Sequence, residues 1–252
     1  MTFAPEDQTQ DLFLGGRLRL SQPRRGYRAA ADPVLLAAAC PARTGQSVLE
    51  LGCGVGVASL CLGTRVAGLR LSGLELQPEY AELARHNACV SGISLEVHEG
   101  DLRDMPPALR IPFDHVIANP PYFAPQDGTA ARDPGRETAQ REATPLADWL
   151  AAARRRLQPG GWLTLIQLAD RLPDLLAGME GFGAVSVLPL APRPGRPANR
   201  VILRARKGAR GPFRLLAPLI LHDGPAHDGD RENYSPAARA VLRDGAALAG
   251  FD

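Results

Sequence analysis

The stretch Val48-Leu49-Glu50-Leu51-Gly52-Cys53-Gly54-Val55-Gly56 runs an apolar segment through one acidic residue into three glycines at alternate positions. A short apolar run closed by glycines reads as a buried strand (Ser47–Leu51), a tight turn, and a helix from about Val57. Glycine accepts positive φ and lets a ligand come close to the backbone. At the carboxyl end of the first strand of a doubly wound sheet, such a turn is where a nucleotide-like ligand sits. The rest of the chain agrees with that sheet. Strands at Leu69–Leu76, Ser94–His98, Phe113–Ala118 and Trp162–Leu168 alternate with helices at Pro78–Val90, Leu146–Leu157 and Asp170–Met179. Strand–helix alternation predicts parallel pairing with helices on both faces. The last strands, Val185–Leu190 and Val201–Ala205, follow each other without a helix and are expected to pair antiparallel.

Outward from this core, residues 1–31 read as an extension holding a short hairpin about Gly15-Gly16. Asp32-Pro33 reads as an N-cap and first helical position for a helix through Val34–Ala39. Residues 32–222 form the expected main domain, and 223–252 a tail whose short helix is capped by Ser235. Ala124–Ala143 is polar and aperiodic, and reads as a long loop.

The spacing at the glycine turn, GxGxG with Val57 following, departs from the GxGxxG of dinucleotide sites. Glu50 sets a carboxylate beside the turn, which repels a pyrophosphate and favours a cationic ligand. S-adenosylmethionine, with a sulfonium and an α-amino group and no phosphate, meets that condition. Glu75 ends the second strand, where a carboxylate accepts from ribose hydroxyls. Asp101 follows the third strand, where it accepts from an adenine amino group.

After the fourth strand comes Asn119-Pro120-Pro121-Tyr122. Two prolines remove two donors and fix two φ angles, which leaves the Asn119 and Pro120 oxygens as acceptors outside any ladder. Acceptors beside a methyl donor form a cradle for a planar NH2 group. Tyr122 offers a face on which a base stacks, worth about 1–3 kcal/mol. The expected catalytic set is Asn119, Pro120 and Tyr122. Cys53 reads as a small residue filling the turn, His115 as a structural residue on its strand, and Arg154–Arg156 as an exposed helix end.

The tetrapeptide with its glycine turn resembles amino-methyltransferases acting on adenine N6, guanine N2 or protein glutamine. Three further stretches, Asp11–Gly16, Gln22–Arg28 and Asp32–Leu36, resemble the bacterial tRNA1(Val) adenine-37 N6-methyltransferase family. The likeness spans roughly residues 11–205. It implies a Rossmann-like class I methyltransferase fold, with a seven-stranded mostly parallel sheet and an antiparallel final strand. It implies that Asn119 and Tyr122 hold a flipped adenine, and that the segment around Gly26–Asp32 closes over S-adenosylmethionine. The expected cofactor contacts are then Asp32, Glu50, Gly52, Cys53, Gly54, Gly56, Glu75, Leu76, Asp101, Leu102 and Asn119. The same chemistry on rRNA guanine N2 or protein glutamine N5 remains open, as does a silent RNA-binding module. A glutamine enzyme would carry a larger N-terminal domain than residues 1–31 provide.

Charge and composition bear on the partner. The chain has 252 residues, 45% apolar and 22% charged, which suffices for a full core and excludes wholesale disorder. The net charge is only +2, yet Gly181–His222 holds eight cationic and no acidic residues. All but one of the 29 cationic side chains are arginine, which suits phosphate forks. A polyanionic partner is expected, tRNA foremost, held by Arg24, Arg25, Arg28, Arg193, Arg196 and Arg200. No apolar run spans a membrane, and the start of the chain is polar, unlike a signal peptide. Four cysteines without CxxC spacing point to neither a metal site nor a disulfide framework, and to a cytoplasmic setting. The sequence leaves the oligomeric state open.

Overall fold

The computed structural model describes residues 3–122, 144–226 and 232–251. The stretch Ala124–Ala143, read above as a loop, lies outside the described residues. A two-stranded hairpin comes first, β1 (Gln8–Phe13) and β2 (Leu18–Pro23), antiparallel about the Gly15-Gly16 turn. Then follow α1 (Ala31–Ala39), β3 (Ser47–Leu51), α2 (Val57–Arg65), β4 (Arg70–Glu75), α3 (Pro78–Ser91), β5 (Leu95–Glu99) and β6 (Phe113–Ala118). The chain continues with α4 (Leu146–Arg156), β7 (Leu157–Leu168), α5 (Leu172–Ala177), β8 (Phe182–Ala191) and β9 (Arg200–Lys207). Two-residue strands β10 (Arg214–Leu215) and β11 (Leu219–Ile220) and helix α6 (Pro236–Leu242) complete it.

The large sheet runs β10-β8-β9-β7-β6-β3-β4-β5, with β11 also on β8. Seven long strands form its body. β3 to β7 are mutually parallel, and β9 runs antiparallel to both β7 and β8. Successive residues of one strand enter opposite layers, as the pleat requires. On β6, Ile117 joins the layer of Leu35, Leu60 and Ala81, while Val116 joins that of Leu49, Leu51 and Leu150. Both faces are therefore dry, which is why these strands read as continuous apolar runs. The strand order reverses between β3 and β6, so the carboxyl ends of β6, β3, β4 and β5 share one edge at the switch point.

Three details differ from the sequence reading. Asp32 is not the N-cap: α1 starts at Ala31, after Ala30, and no side chain caps it. The Asp32 carboxylate is drawn into tertiary bonds instead, described below. The helix expected over Asp170–Met179 is shorter, a 3-10 turn over Ala169–Arg171 leading into α5. Finally, β10 and β11 extend the sheet beyond seven strands. Each is too short to leave a periodic signal.

The hairpin is fastened to the main sheet by buried polar contacts. The Asn87 amide on α3 accepts from Ser21 N at 2.8 Å and donates to Ser21 O and Val55 O at 3.0 Å. Gln22 pairs with the Ala29 backbone in both directions, at 2.7 and 3.0 Å, and closes the segment between them into a bracket. That bracket hangs over the glycine turn.

Candidate active site

A cleft opens at the carboxyl edge of β3, β4, β5 and β6. The glycine turn forms its floor: Gly52, Gly54 and Gly56 have φ of 65°, 54° and 86°, the conformations only glycine adopts without strain. Gly52, Cys53 and Gly54 line the cleft, whereas Gly56 caps α2 behind it. Gly52 is also needed for space. A Cβ there would come within 2.6 Å of Trp149 Cη2, from α4. Gly52→Ala is therefore expected to lower the melting temperature by about 3–10 °C. An unchanged thermal melt would sink that account of the turn. Cys53 is buried, and its sulfur fills the hollow at Gly73, where a Cβ would approach Sγ to 2.7 Å.

Three carboxylates face this cleft. Glu75, the last residue of β4, accepts from Gly54 N at 2.8 Å through one oxygen and from Gln77 N at 2.9 Å through the other. Glu50 accepts from Ser59 N at 2.9 Å and Ser59 Oγ at 2.5 Å on a single oxygen. Its other oxygen takes no bond from the described residues. Burial dominates both groups. It pushes the Glu50 carboxyl up to about 8, against the pull of the Ser59 bonds. It raises Glu75 as well, despite that group's backbone donors. Asp101, beyond β5, is held by Arg103 through Arg103 N at 2.8 Å and a guanidinium contact at 2.6 Å. That pairing keeps its carboxyl low. Leu76 and Leu102 add apolar walls.

The acceptor end is built from β6 and its continuation. Asn119 and Pro121 line the cleft; Pro120 is buried behind them. The Asn119 Nδ2 donates to the Tyr27 hydroxyl at 3.3 Å, and its Oδ1 is buried with no partner among the described residues. Gln167, fully buried at the end of β7, donates to Pro121 O at 3.1 Å and Pro120 O at 3.4 Å, which holds the proline carbonyls in place. The Tyr122 hydroxyl donates to Asp32 Oδ2. Arg200 Nε donates to the same oxygen at 2.6 Å, and its guanidinium stands 5.4 Å from the Tyr122 ring centroid. Asp32 thus lies outside the cleft lining and ties Tyr122 to Arg200. His115 lies within β6, with Nε2 2.9 Å from Gln46, and burial pushes its imidazole down to about 4.

The arginines expected to meet a polyanion have different fates. Arg28 pairs with Asp11 at 2.6 Å, and Arg193 donates to the carbonyls of Asp223 and Gly224. Arg200 is committed to Asp32 and Tyr122. Arg24 spends one donor on Glu6 O, while Arg25 and Arg196 are exposed and unpaired among the described residues. Much of the cationic Gly181–His222 stretch is structural. Arg204 is buried between the rings of Trp162 and Phe251, and Arg206 and Lys207 donate to Gly160 O and Leu157 O.

Sequence reasoning missed Tyr27, Tyr80, Trp149 and Gln167. The first three line the cleft. Trp149 Nε1, like Asn119 Oδ1, is buried with no partner among the described residues. An unmade bond of this kind costs about 1–3 kcal/mol until a ligand makes it. Among the described residues the lining holds three carboxylates and neither arginine nor lysine. Such a surface has no cation to hold a phosphate, and its acidic groups, which a nearby cation would ionise, suit a cationic ligand with a ribose diol. S-adenosylmethionine fits it: Glu75 would take the ribose hydroxyls, Glu50 the cationic end, and Leu76, Asp101 and Leu102 the adenine.

Comparison with known proteins agrees. The methyltransferase small domain family model matches residues 31–187. A tRNA1(Val) (adenine(37)-N6)-methyltransferase of Yersinia pseudotuberculosis is 28% identical over 211 residues, covering 79% of this chain and 83% of that protein. A predicted O-methyltransferase, protein Atu636 from Agrobacterium tumefaciens, superposes with a TM-score of 0.68 at 27% identity, over 86% of this chain and 98% of that one. TrmN from Thermus thermophilus superposes with a TM-score of 0.50 at 22% identity, over 70% of this chain and 48% of that one, a likeness of fold.

Proposed function

The chain belongs to the methyltransferase small domain family and is an S-adenosylmethionine-dependent enzyme, and we propose that it methylates the exocyclic N6 of an adenine in the anticodon loop of a tRNA. The observation that carries this reading is the orphaned Asn119 Oδ1, an acceptor at the edge of an acid-lined cleft. An amino group supplies the donor that this oxygen lacks. The name of the Yersinia relative supports adenine as its owner.

S-adenosylmethionine would supply an electrophilic methyl. The protein's part is to present the nitrogen. By accepting from the amino hydrogens, Asn119 Oδ1 and the Pro120 carbonyl localise a lone pair otherwise spread into the ring. Gln167 steadies that carbonyl from behind. The methylated nitrogen is acidic enough to lose its extra proton to water, so no general base is required. Tyr122 stacks on the base, its ring angle set by Asp32 and Arg200. Flipping the base costs a few kcal/mol, least where bases are already splayed, as in a loop.

Phosphate contact then falls to the exposed Arg24, Arg25 and Arg196. RNA affinity is expected to fall steeply with salt, and Arg24→Ala combined with Arg25→Ala to flatten the log Kd against log salt slope by about 2. An unchanged slope would remove both residues from the interface. The reading itself is tested by transfer of labelled methyl to total bacterial tRNA, followed by nucleoside analysis. N6-methyladenosine is the expected product. Cofactor binding without incorporation into tRNA would move the acceptor to rRNA guanine N2 or protein glutamine N5, or leave a silent RNA-binding module.

A further inference from the structure

We infer that Tyr27 is a specificity-determining residue: its hydroxyl turns the Asn119 amide so that Oδ1 faces the acceptor, and offers its own proton to the ring nitrogen beside the reactive amino group. The inference rests on the adenine reading above. Tyr27 is held in place from three sides. Its backbone N donates to the Tyr80 hydroxyl at 2.8 Å. Its ring lies along the glycine turn, 3.9 Å from where a Gly54 Cβ would stand. The Gln22–Ala29 bracket fixes the segment on which it rides. Tyr27 therefore spans the gap between the floor of the cleft and Asn119.

The hydrogen-bond inventory gives the role. A phenol has one proton and accepts through its oxygen, whereas an amide nitrogen only donates. With Asn119 Nδ2 donating to Tyr27, the phenol oxygen acts as acceptor and its proton is uncommitted. No described residue accepts that proton. Burial, with Asp32, Glu50 and Glu75 nearby, raises the Tyr27 pKa, so the phenol keeps its proton throughout the neutral range. The site thus sets an acceptor, Asn119 Oδ1, beside a donor, the Tyr27 hydroxyl. Adenine presents the complement: the N6 amino group donates and lies between N1 and N7, both acceptors. Guanine N2 lies between N3 and a protonated N1, so one of its two orientations sets donor against donor.

The test uses the anticodon stem-loop of tRNA1(Val) with adenine at the target position, and the same RNA carrying 1-deazaadenine or 7-deazaadenine there. The wild-type enzyme is expected to lose roughly 10- to 100-fold in kcat/KM on one of the two analogues. Tyr27→Phe is expected to lose a similar factor on adenine, and to lose nothing further on that analogue. Binding of S-adenosylhomocysteine, read by calorimetry, should be unchanged in the variant. A purely structural role would lower all three substrates alike, so independent, multiplying losses overturn the inference. Should Tyr27→Phe fail to fold, the wild-type enzyme still decides: equal rates on adenine and both analogues overturn the inference. A wild-type enzyme that binds S-adenosylhomocysteine yet leaves the adenine RNA unmethylated overturns the adenine reading, and this inference with it.

Discussion

Replacing Asn119 by alanine is expected to lower kcat by about 10²- to 10³-fold, the size of effect seen when one positioned polar group is removed from a reacting centre. S-adenosylhomocysteine should still bind, because the buried carboxylates and the glycine turn are untouched, and the loss in kcat should exceed any loss of that affinity. The reasoning is geometric. Oδ1 is buried, unpartnered among the described residues and fixed by the bond from Nδ2 to Tyr27. Its orientation is thus set before the substrate arrives. Asn119→Asp sharpens the test, since it keeps an acceptor but cannot donate to Tyr27. Its single-turnover rate should lie between those of wild type and the alanine variant. Turnover near the wild-type value in Asn119→Ala would remove the residue from the acceptor cradle.

The parts of this site that could be read in advance are those written locally. Glu50, Glu75, Asp101 and Asn119 stand at or just beyond the ends of four apolar runs. A doubly wound sheet brings such ends to one edge whatever the intervening helices contain. The parts that escaped are those that distant segments supply. Trp149 looks like an ordinary apolar residue of an amphipathic helix, and only the folded chain sets its ring against Gly52. Gln167 is one polar residue in a buried strand, and its purpose appears only when β7 lies beside β6 and the proline carbonyls come within reach. Asp32 misled for a related reason. Asp-Pro is a strong local signal for a cap, but bonds to Tyr122 and Arg200 from opposite parts of the chain took the carboxylate instead. Charge counting was the least informative guide. It could not distinguish Arg204, sealed between two aromatic rings, from Arg196, which is exposed.

Cofactor affinity should tighten with rising pH because of Glu50, and Glu50→Gln should abolish that dependence. In the ligand-free cleft burial holds the Glu50 carboxyl at about 8, so it is largely protonated at neutral pH. A ligand carrying a sulfonium and an ammonium group is best met by the ionised form, so binding releases a proton. Affinity then rises by up to about tenfold per pH unit approaching pH 8, and levels off above it. Glutamine keeps an acceptor for Ser59 but cannot ionise. At pH 8 it should weaken binding by roughly 30- to 5,000-fold, the size of losing one member of a buried charge pair. Stability runs the other way. The unfolded chain ionises this group near 4.5, the folded one near 8. The contribution of Glu50 to stability is therefore fully present below pH 4.5 and lost as pH rises through 8. The Glu50→Gln protein should accordingly melt higher than wild type at pH 8.5, with the gap closing toward pH 4.5, while binding S-adenosylmethionine worse. Calorimetry in buffers of different ionisation enthalpy measures the released proton directly. A wild-type affinity indifferent to pH, or the same slope in Glu50→Gln, would take the charge-matching role away from Glu50.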